Sequence, residues 1–307
     1  MIRLLRNNSF ILVLALLAGI LLGGGAVYTR ASVTPLLAFI MTLSLVGISA
    51  DAFSGGRRLV RPALLALFLN YGVLGGTLLL LTVWLIDDPG VRAGFVLIAA
   101  VPPAVAIIPF TFRLGGDMPF VLHGSVTGHL AAFLLTPLIT LAALGANLVQ
   151  PLHLVTTLLQ LIAAPFVVSR LLRRSRRIMA WLDANRGTLI NWSFFVVVYT
   201  IIGLNRGAFD VVSIGFLRVV LVAVASTTGL AYLVYGASRL AGAQPSAQIA
   251  YAVMGAWKNY GLAGAIALLY FGEAAALPAA VATAFSIINF LLLGMTISAR
   301  PGAAGMH

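Results

Sequence analysis

One basic side chain, Lys258, lies within a long apolar stretch of the sequence, beside Asn259 and Tyr260. A charge in such surroundings is costly, and it marks either a functional path or a paired group. Three roles are open to this amine: a structural cation that hydrogen-bonds backbone carbonyls, a proton carrier, or a direct contact for an anionic ligand. Because Asp51 and Asp117 lie at the ends of apolar stretches, we expect no buried lysine–carboxylate pair.

Two histidines and two asparagines are the other candidates. His123 and His129 are six residues apart, which puts them about 120° apart around a helix, so a joint metal site is not expected. Each histidine is either part of a proton relay or a packed, hydrogen-bonded side chain. Asn70 and Asn289 are lone polar residues in apolar runs, where interhelical hydrogen bonds are usual, and Asn289 is also a pocket candidate. The sequence carries no arrangement typical of catalysis, so we predict no enzyme.

Two apolar stretches are interrupted near their middle. Pro102 and Pro103 remove two N–H donors from the first, and Lys258–Gly261 places polar residues inside the second. Backbone groups freed at membrane depth are tolerated where they are buried in protein or line a watery cavity. Matched interruptions therefore predict a binding site at the midplane of the membrane.

The composition supports a membrane environment. Charged residues make up 8% of the 307 residues, hydrophobic residues 61%, and the mean hydropathy is +1.08. A soluble exterior cannot be built from so few charges, which excludes a soluble enzyme and a nucleic-acid-binding domain. Cysteine is absent, so thiolate metal sites are excluded, and we expect no cofactor.

Ten apolar runs are long enough to cross a bilayer, which takes about 20 residues of helix. They cover residues 9–28, 32–52, 63–85, 91–112, 119–145, 152–172, 188–204, 212–240, 247–271 and 274–297. The first run resembles a signal peptide, but it leads into the second through a four-residue turn, so we interpret it as a retained helix. The predicted fold is an all-α polytopic membrane protein with ten transmembrane helices.

Arginines are distributed unevenly between the predicted connectors. Most, including the cluster between Arg170 and Arg177, fall on one side, whereas Arg30 and Arg218 fall on the other. By the positive-inside rule both termini are cytoplasmic, and the protein is a multi-pass protein of the cytoplasmic (inner) membrane. We interpret the arginine cluster as a topology anchor; a lipid or partner docking site is the alternative.

The ten helices divide into two halves, residues 1–148 and 149–307. Since each half has five crossings, the halves must lie in opposite orientations, which is the inverted-repeat plan of many secondary transporters. The interrupted helix is the fourth of each half.

The interruptions carry a resemblance to a known family. Residues 101–111 (VPPAVAIIPFT), 114–117 (LGGD), 135–138 (LTPL) and 258–263 (KNYGLA) are similar to motifs of the bile acid:sodium symporter family, part of the bile/arsenite/riboflavin transporter superfamily. The resemblance implies a core domain (roughly 63–145 and 212–297) in which helices four and nine cross. It also implies a panel domain (roughly 9–52 and 152–204).

The sequence departs from that family where the family binds sodium. Ungapped alignment on Asn259 places Lys258 at the family's glutamine and Met254 at its acidic ligand. In the first half, the resemblance places other oxygen ligands at Ile107, Ile108 and Val121, and one hydroxyl survives, as Ser125. Sodium needs several oxygens, and a nearby ammonium repels it. We therefore expect that sodium coupling has been lost.

The predicted function is secondary active transport of a small organic anion, either proton-coupled or by exchange. A sodium-coupled symporter and a non-transporting membrane sensor or scaffold are the alternatives. The expected partners are the anion and the lipid bilayer, without nucleic acid or metal. The predicted substrate or coupling site comprises Lys258, Asn259, Pro102, Pro103, Ser125, Asn289 and Asn70, with His123 and His129 as a possible relay.

Overall fold

The computed structural model describes residues 8–47, 60–104, 106–145, 151–207 and 213–298. Within these ranges the chain is helical, and the only β-type pairing is an isolated bridge. Seven of the described helices are long and apolar enough to cross a membrane, which confirms a multi-pass, all-helical membrane protein. The predicted boundary at 148/149 lies outside the described residues, as do the N-terminal arginines and the end of the second predicted run.

The helices are numbered here in chain order. They are α1 (Asn8–Leu22), α2 (Val33–Val46), α3 (Val60–Leu85), α4a (Pro89–Ala100), α4b (Ile107–Arg113), α5 (Met118–Leu144), α6 (Leu152–Leu172), α7 (Arg176–Leu204), α8 (Ile214–Leu240), α9a (Pro245–Met254), α9b (Tyr260–Tyr270) and α10 (Glu273–Ser298). π-Helical segments widen α3 at Phe68–Gly75, α6 at Leu159–Ala163 and α8 at Ala225–Gly229.

Helix starts follow local capping signals. The Asp88 side chain accepts a hydrogen bond from the Val91 N–H (2.8 Å) at the start of α4a, and Asp117 does the same for Phe120 (3.1 Å) at the start of α5. A proline stands in the first turn of both helices, where its missing N–H costs nothing.

Residues 8–46 are helical throughout, and the chain reverses direction where short 3₁₀ segments, Gly23–Gly25 and Arg30–Ser32, interrupt the α-helix. Straight, the 37 residues from Phe10 to Val46 would measure about 55 Å, nearly twice the thickness of the hydrocarbon layer. At one end Gly23 touches Gly203 near the end of α7, whereas Gly47, after α2, lies against Arg186 near the start of α7. α1 and α2 therefore run in opposite directions along α7.

The helices form two groups. In the first group α1 and α2 pack on α7, and α6 packs on α2. The second group consists of α3, α4a, α4b, α5, α8, α9a, α9b and α10, and α10 meets α7 and α5 meets α6 between the groups. We call these the panel group and the core group. The prediction of a connector over residues 173–187 is wrong. Helix α7 already begins at Arg176, because the Ser175 hydroxyl caps its first turn by accepting a hydrogen bond from the Ile178 N–H.

The two ends of the bundle differ in charge. Arg30 pairs with Glu273 (3.2 Å) and Arg218 pairs with Asp87, both at the end where Gly90 lies against Ala274. We call this the acidic end, because three of the five described carboxylates (Asp87, Asp88 and Glu273) lie there, beside arginines that pair with two of them. At the opposite, arginine-rich end, Arg170 and Arg173 donate to the carbonyls of Leu45 and Val46, the latter at 2.7 Å. These bonds bring side-chain donors to carbonyls in the last turn of α2, where a helix leaves its carbonyls without intrahelical partners in general.

Candidate transport site at the crossing of two interrupted helices

The two predicted interruptions meet in the middle of the core group. Residues 101–106 separate α4a from α4b, and residues 255–259 separate α9a from α9b. Pro103 and Lys258 form an antiparallel bridge, and the Asn259 N–H donates to the Pro102 carbonyl (2.9 Å). Where two extended segments cross in this way, backbone N–H and C=O groups lack helical hydrogen bonds. The groups that donate to or accept from them therefore define the site.

The Lys258 side chain is fully buried (0% exposed) at this crossing. Its Nζ donates to the Val101 carbonyl (2.9 Å), at the end of α4a, and lies 3.9 Å from the centre of the Tyr71 ring. Among the described residues no carboxylate pairs with it. The amine therefore occupies the position that a cation would take at the negative end of an interrupted helix.

Tyr71, in the π-helical segment of α3, is a site residue that the sequence interpretation missed. Its hydroxyl donates to the Gly128 carbonyl of α5 (3.2 Å), and Gly128 packs directly on Pro103. A signal was present, since Tyr71 follows the predicted site residue Asn70, but helical periodicity places consecutive residues on different faces.

Other carbonyls at the interruption also accept hydrogen bonds from protein donors. The Asn70 side-chain amide donates to Met254 (3.0 Å) and Trp257 (3.2 Å), which end α9a and enter the break. Thr136 of α5 donates to Ala100 (2.8 Å), and the Tyr260 hydroxyl donates to Ala256 (3.1 Å). Hydrogen bonds of this kind remove the cost of buried unpaired backbone oxygens.

Four positions that the family resemblance assigns to sodium ligands carry apolar side chains, of which Ile108 is only partly buried. Met254, Ile107 and Val121 are fully buried, and the Met254 side chain lies against Gly124 of α5. Ser125 is buried one helical turn after Val121 on α5, and its carbonyl bonds His129 Nδ1 (2.7 Å). Thioether and alkyl side chains offer no hard oxygen to sodium.

A cavity of about 660 Å³ lies between the crossing and the panel group. Its deep wall includes Asn259 and Gly261, and Thr283 and Ser286 of α10 face it across the core. The cavity extends to the arginine-rich end, where its lining includes Arg113, Asp183 and Arg186, of which Arg113 and Asp183 are exposed. Much of the remaining wall is aliphatic or aromatic, as is usual for a small-molecule site.

The predicted site residues fall into two sets. Lys258 and Asn259 border the cavity, although the ammonium group points to Val101 and Tyr71, outside the cavity lining. The remaining residues lie outside that lining: Pro102, Pro103, Asn70, Ser125, Asn289, His123 and His129. Asn289 donates to the Thr227 carbonyl in the π-helical segment of α8 (3.0 Å), which is the interhelical role that lone asparagines often have.

The two histidines are held separately on α5. His123 Nδ1 bonds the Pro119 carbonyl (2.6 Å), and His129 is buried with Nε2 free of any partner among the described residues. The described residues contain no group of three or more His, Asp or Glu side chains that could hold a metal ion. A proton-relay role for either histidine stays a prediction.

Comparisons with known proteins agree with this architecture. A sequence profile of the SBF-like CPA transporter family matches residues 9–296, which is nearly the whole chain. A comparison with curated proteins found no significant match.

Proposed function

The chain belongs to the SBF-like CPA transporter family, and we propose that it transports a small organic anion across the cytoplasmic membrane without sodium. The transport is driven by protons or by exchange. Lys258 replaces the bound cation of related transporters, and the cavity beside it receives the substrate.

The observation that carries this proposal is the hydrogen-bonding of the crossing. The Val101 carbonyl, a natural cation ligand at the end of an interrupted helix, is held by Lys258 Nζ at 2.9 Å. The neighbouring carbonyls of Ala100 and Pro102 are held by Thr136 and by the Asn259 N–H. A sodium ion would have to displace these donors and approach a fixed positive charge, which is unfavourable in a low-dielectric core.

The same charge favours an anion as the substrate. Lys258 has no carboxylate partner among the described residues and borders the cavity, so its field attracts negative charge into the deep end. Direct contact is the less favoured role, because the ammonium faces Val101 and Tyr71. At the mouth of the cavity the two arginines, Arg113 and Arg186, outnumber the one carboxylate, Asp183.

We further propose ten membrane crossings in two inverted repeats of five, with core helices at roughly 63–145 and 212–297. The seven long apolar helices become ten when α1 and α2 are counted separately and when the pairs α4a–α4b and α9a–α9b each make one crossing. The arginine-rich end then faces the cytoplasm, together with both termini. In this orientation the cavity opens to the cytoplasm.

Cysteine labelling tests the orientation, because the natural sequence contains no cysteine. A membrane-impermeant maleimide added to intact cells is expected to label Asp87→Cys, at the acidic end. It is expected to leave Arg174→Cys unlabelled until the membrane is permeabilised. Labelling of Arg174→Cys in intact cells would reverse the proposed topology.

Sodium independence is tested by thermal stability and by uptake. We expect the melting temperature of the purified protein to be the same in sodium and potassium chloride at equal ionic strength, because the crossing offers no cation site. A ligand that binds at one hundred times its Kd adds about 2.7 kcal/mol of stability, so a specific sodium effect would be visible. A saturable, sodium-specific rise in melting temperature would contradict the proposal.

Uptake into proteoliposomes tests the function itself. Radiolabelled carboxylates, from acetate to a bile salt, are offered with an imposed pH gradient or with unlabelled carboxylate inside. Accumulation of at least one of them in sodium-free buffer is the expected result. Binding of a carboxylate without any uptake would instead favour a sensor on the same fold.

A further inference from the structure

The buried ammonium of Lys258 has a neighbour whose role the proposed function does not explain. Its Nζ lies 3.9 Å from the centre of the Tyr71 ring, well within the distance of about 6 Å at which a cation is attracted to an aromatic face. The attraction is larger when water is excluded, and Lys258 is fully buried. The attraction between the Lys258 ammonium and the Tyr71 ring is therefore stronger here than it would be at an exposed site.

We propose that the face of the Tyr71 ring is the counter-group that holds the Lys258 ammonium at the crossing, in the place where a carboxylate would otherwise stand. The inference rests on the proposed role of Lys258 as a fixed cation. It assigns Tyr71 as a positioning residue that keeps the ammonium directed at the Val101 carbonyl.

The surroundings of Tyr71 hold the ring in place. Its hydroxyl is tied to the Gly128 carbonyl (3.2 Å), and Gly128 packs on Pro103 of the interrupted helix. The ring thus joins three elements, α3, α5 and the crossing, around one ammonium group. The π-helical segment of α3 is a departure from regular helix that is frequent at functional sites.

The electric quadrupole of the Tyr71 ring stabilises the ammonium without neutralising it, whereas a carboxylate in this position would neutralise it. A carboxylate would neutralise the ammonium and remove its long-range attraction for an anion in the cavity. The aromatic face stabilises the charge locally and leaves the net charge at +1, so the crossing still attracts a negatively charged substrate. With Tyr71 as its counter-group, the buried ammonium therefore still attracts an anionic substrate.

A spectroscopic test is available because Lys258 is the only lysine in the sequence. Protein labelled with ¹³C,¹⁵N-lysine gives the signals of a single side chain. Protons above an aromatic face are shifted upfield by the ring current, so the ε-methylene and ammonium protons of the wild type are expected upfield of those of free lysine. The shift is expected to persist in Tyr71→Phe, which keeps the ring, and to disappear in Tyr71→Leu.

Transport supplies the second readout. Tyr71→Leu is expected to slow uptake about tenfold, as the loss of a desolvated cation–π contact implies. Tyr71→Phe is expected to stay within about twofold of wild type, because it keeps the π face. Tyr232→Leu is the matched control: its hydroxyl bonds Thr296 (2.8 Å), away from the crossing, and both uptake and the lysine signals should be unchanged.

Several results would overturn the assignment: an unshifted lysine in the wild type, a shift that survives in Tyr71→Leu, or equal losses of uptake in Tyr71→Phe and Tyr71→Leu. If Tyr71→Leu does not fold, the lysine signals of the wild type and of Tyr71→Phe test the assignment by themselves, since both are expected to be shifted upfield. The spectra do not depend on transport. Shifted lysine signals in a protein that moves no carboxylate would therefore refute the transporter proposal and leave the Tyr71 assignment standing.

Discussion

Replacing Lys258 by methionine is expected to reduce transport about 5- to 150-fold while the helices stay assembled. Methionine fills a similar volume but cannot donate to the Val101 carbonyl, which accepts from Lys258 Nζ at 2.9 Å. A buried acceptor without a partner costs about 1–3 kcal/mol, and that range corresponds to about 5- to 150-fold in an equilibrium. The cost falls on the geometry of the crossing, which forms one wall of the cavity.

Melting temperature is a poor readout for this variant. Methionine also removes a desolvated charge that has no carboxylate partner among the described residues. Replacement of a buried charge by an apolar side chain is often neutral or stabilising, so the two effects offset each other. Uptake by equal amounts of folded protein in proteoliposomes is therefore the measurement that tests the role of Lys258.

Conservative substitutions at Lys258 separate the remaining roles. Lys258→Arg keeps the charge and the donor and is expected to retain part of the uptake. Lys258→Gln keeps an N–H donor, but the side chain is one bond shorter and carries no charge. This variant is expected to lose uptake and exchange together. If Lys258→Gln exchanged substrate normally and lost only accumulation driven by a pH gradient, Lys258 would be the proton carrier. Normal uptake in both Lys258→Gln and Lys258→Met would place the site elsewhere.

The interruptions of the helices could be predicted from the sequence because their causes are local. Proline has no N–H to donate, so Pro102 and Pro103 stop α4a near Ala100. Lys258 is polar enough to stand out in an apolar run, and α9a ends at Met254 shortly before it. The sequence predicts the start of α7 twelve residues too late, at Thr188, because the first turns of this helix are polar and resemble a connector. The helix begins at Arg176, after the capping residue Ser175.

The contacts that build the crossing could not be predicted, because they join distant parts of the chain. Asn70 reaches Met254 and Trp257 across more than 180 residues of sequence, and Lys258 reaches Val101 across 157. Composition marks such residues as unusual but does not choose their partners. An aromatic residue such as Tyr71 is not unusual in an apolar run, so its role emerges only from its position over Lys258.

Contacts at the acidic end join the core group to the panel group. Arg30, between α1 and α2, pairs with Glu273 at the start of α10 (3.2 Å), and Tyr270 of α9b donates to the His153 carbonyl of α6 (3.0 Å). The cavity reaches the opposite end. A transporter that alternates access must separate the two groups at the acidic end and close them at the other.

Cross-linking the groups at the acidic end is therefore expected to stop transport. The variant Arg30→Cys/Glu273→Cys, treated with a reducible bis-methanethiosulfonate linker, is expected to lose uptake at least about tenfold, because a closed acidic end forbids alternating access. Reduction of the linker should restore uptake. The absence of natural cysteines makes the cross-link specific.

A matched pair controls for cross-linking at the same end of the molecule. Asp87 and Arg218 also pair there, but Asp87 follows α3 and Arg218 belongs to α8, so both lie within the core group. If the core moves as one body against the panel, the linked Asp87→Cys/Arg218→Cys variant transports at the rate of its unlinked form. Full uptake by the linked Arg30→Cys/Glu273→Cys variant would show that the two groups do not separate at this end, and a relative movement of core and panel would no longer explain transport.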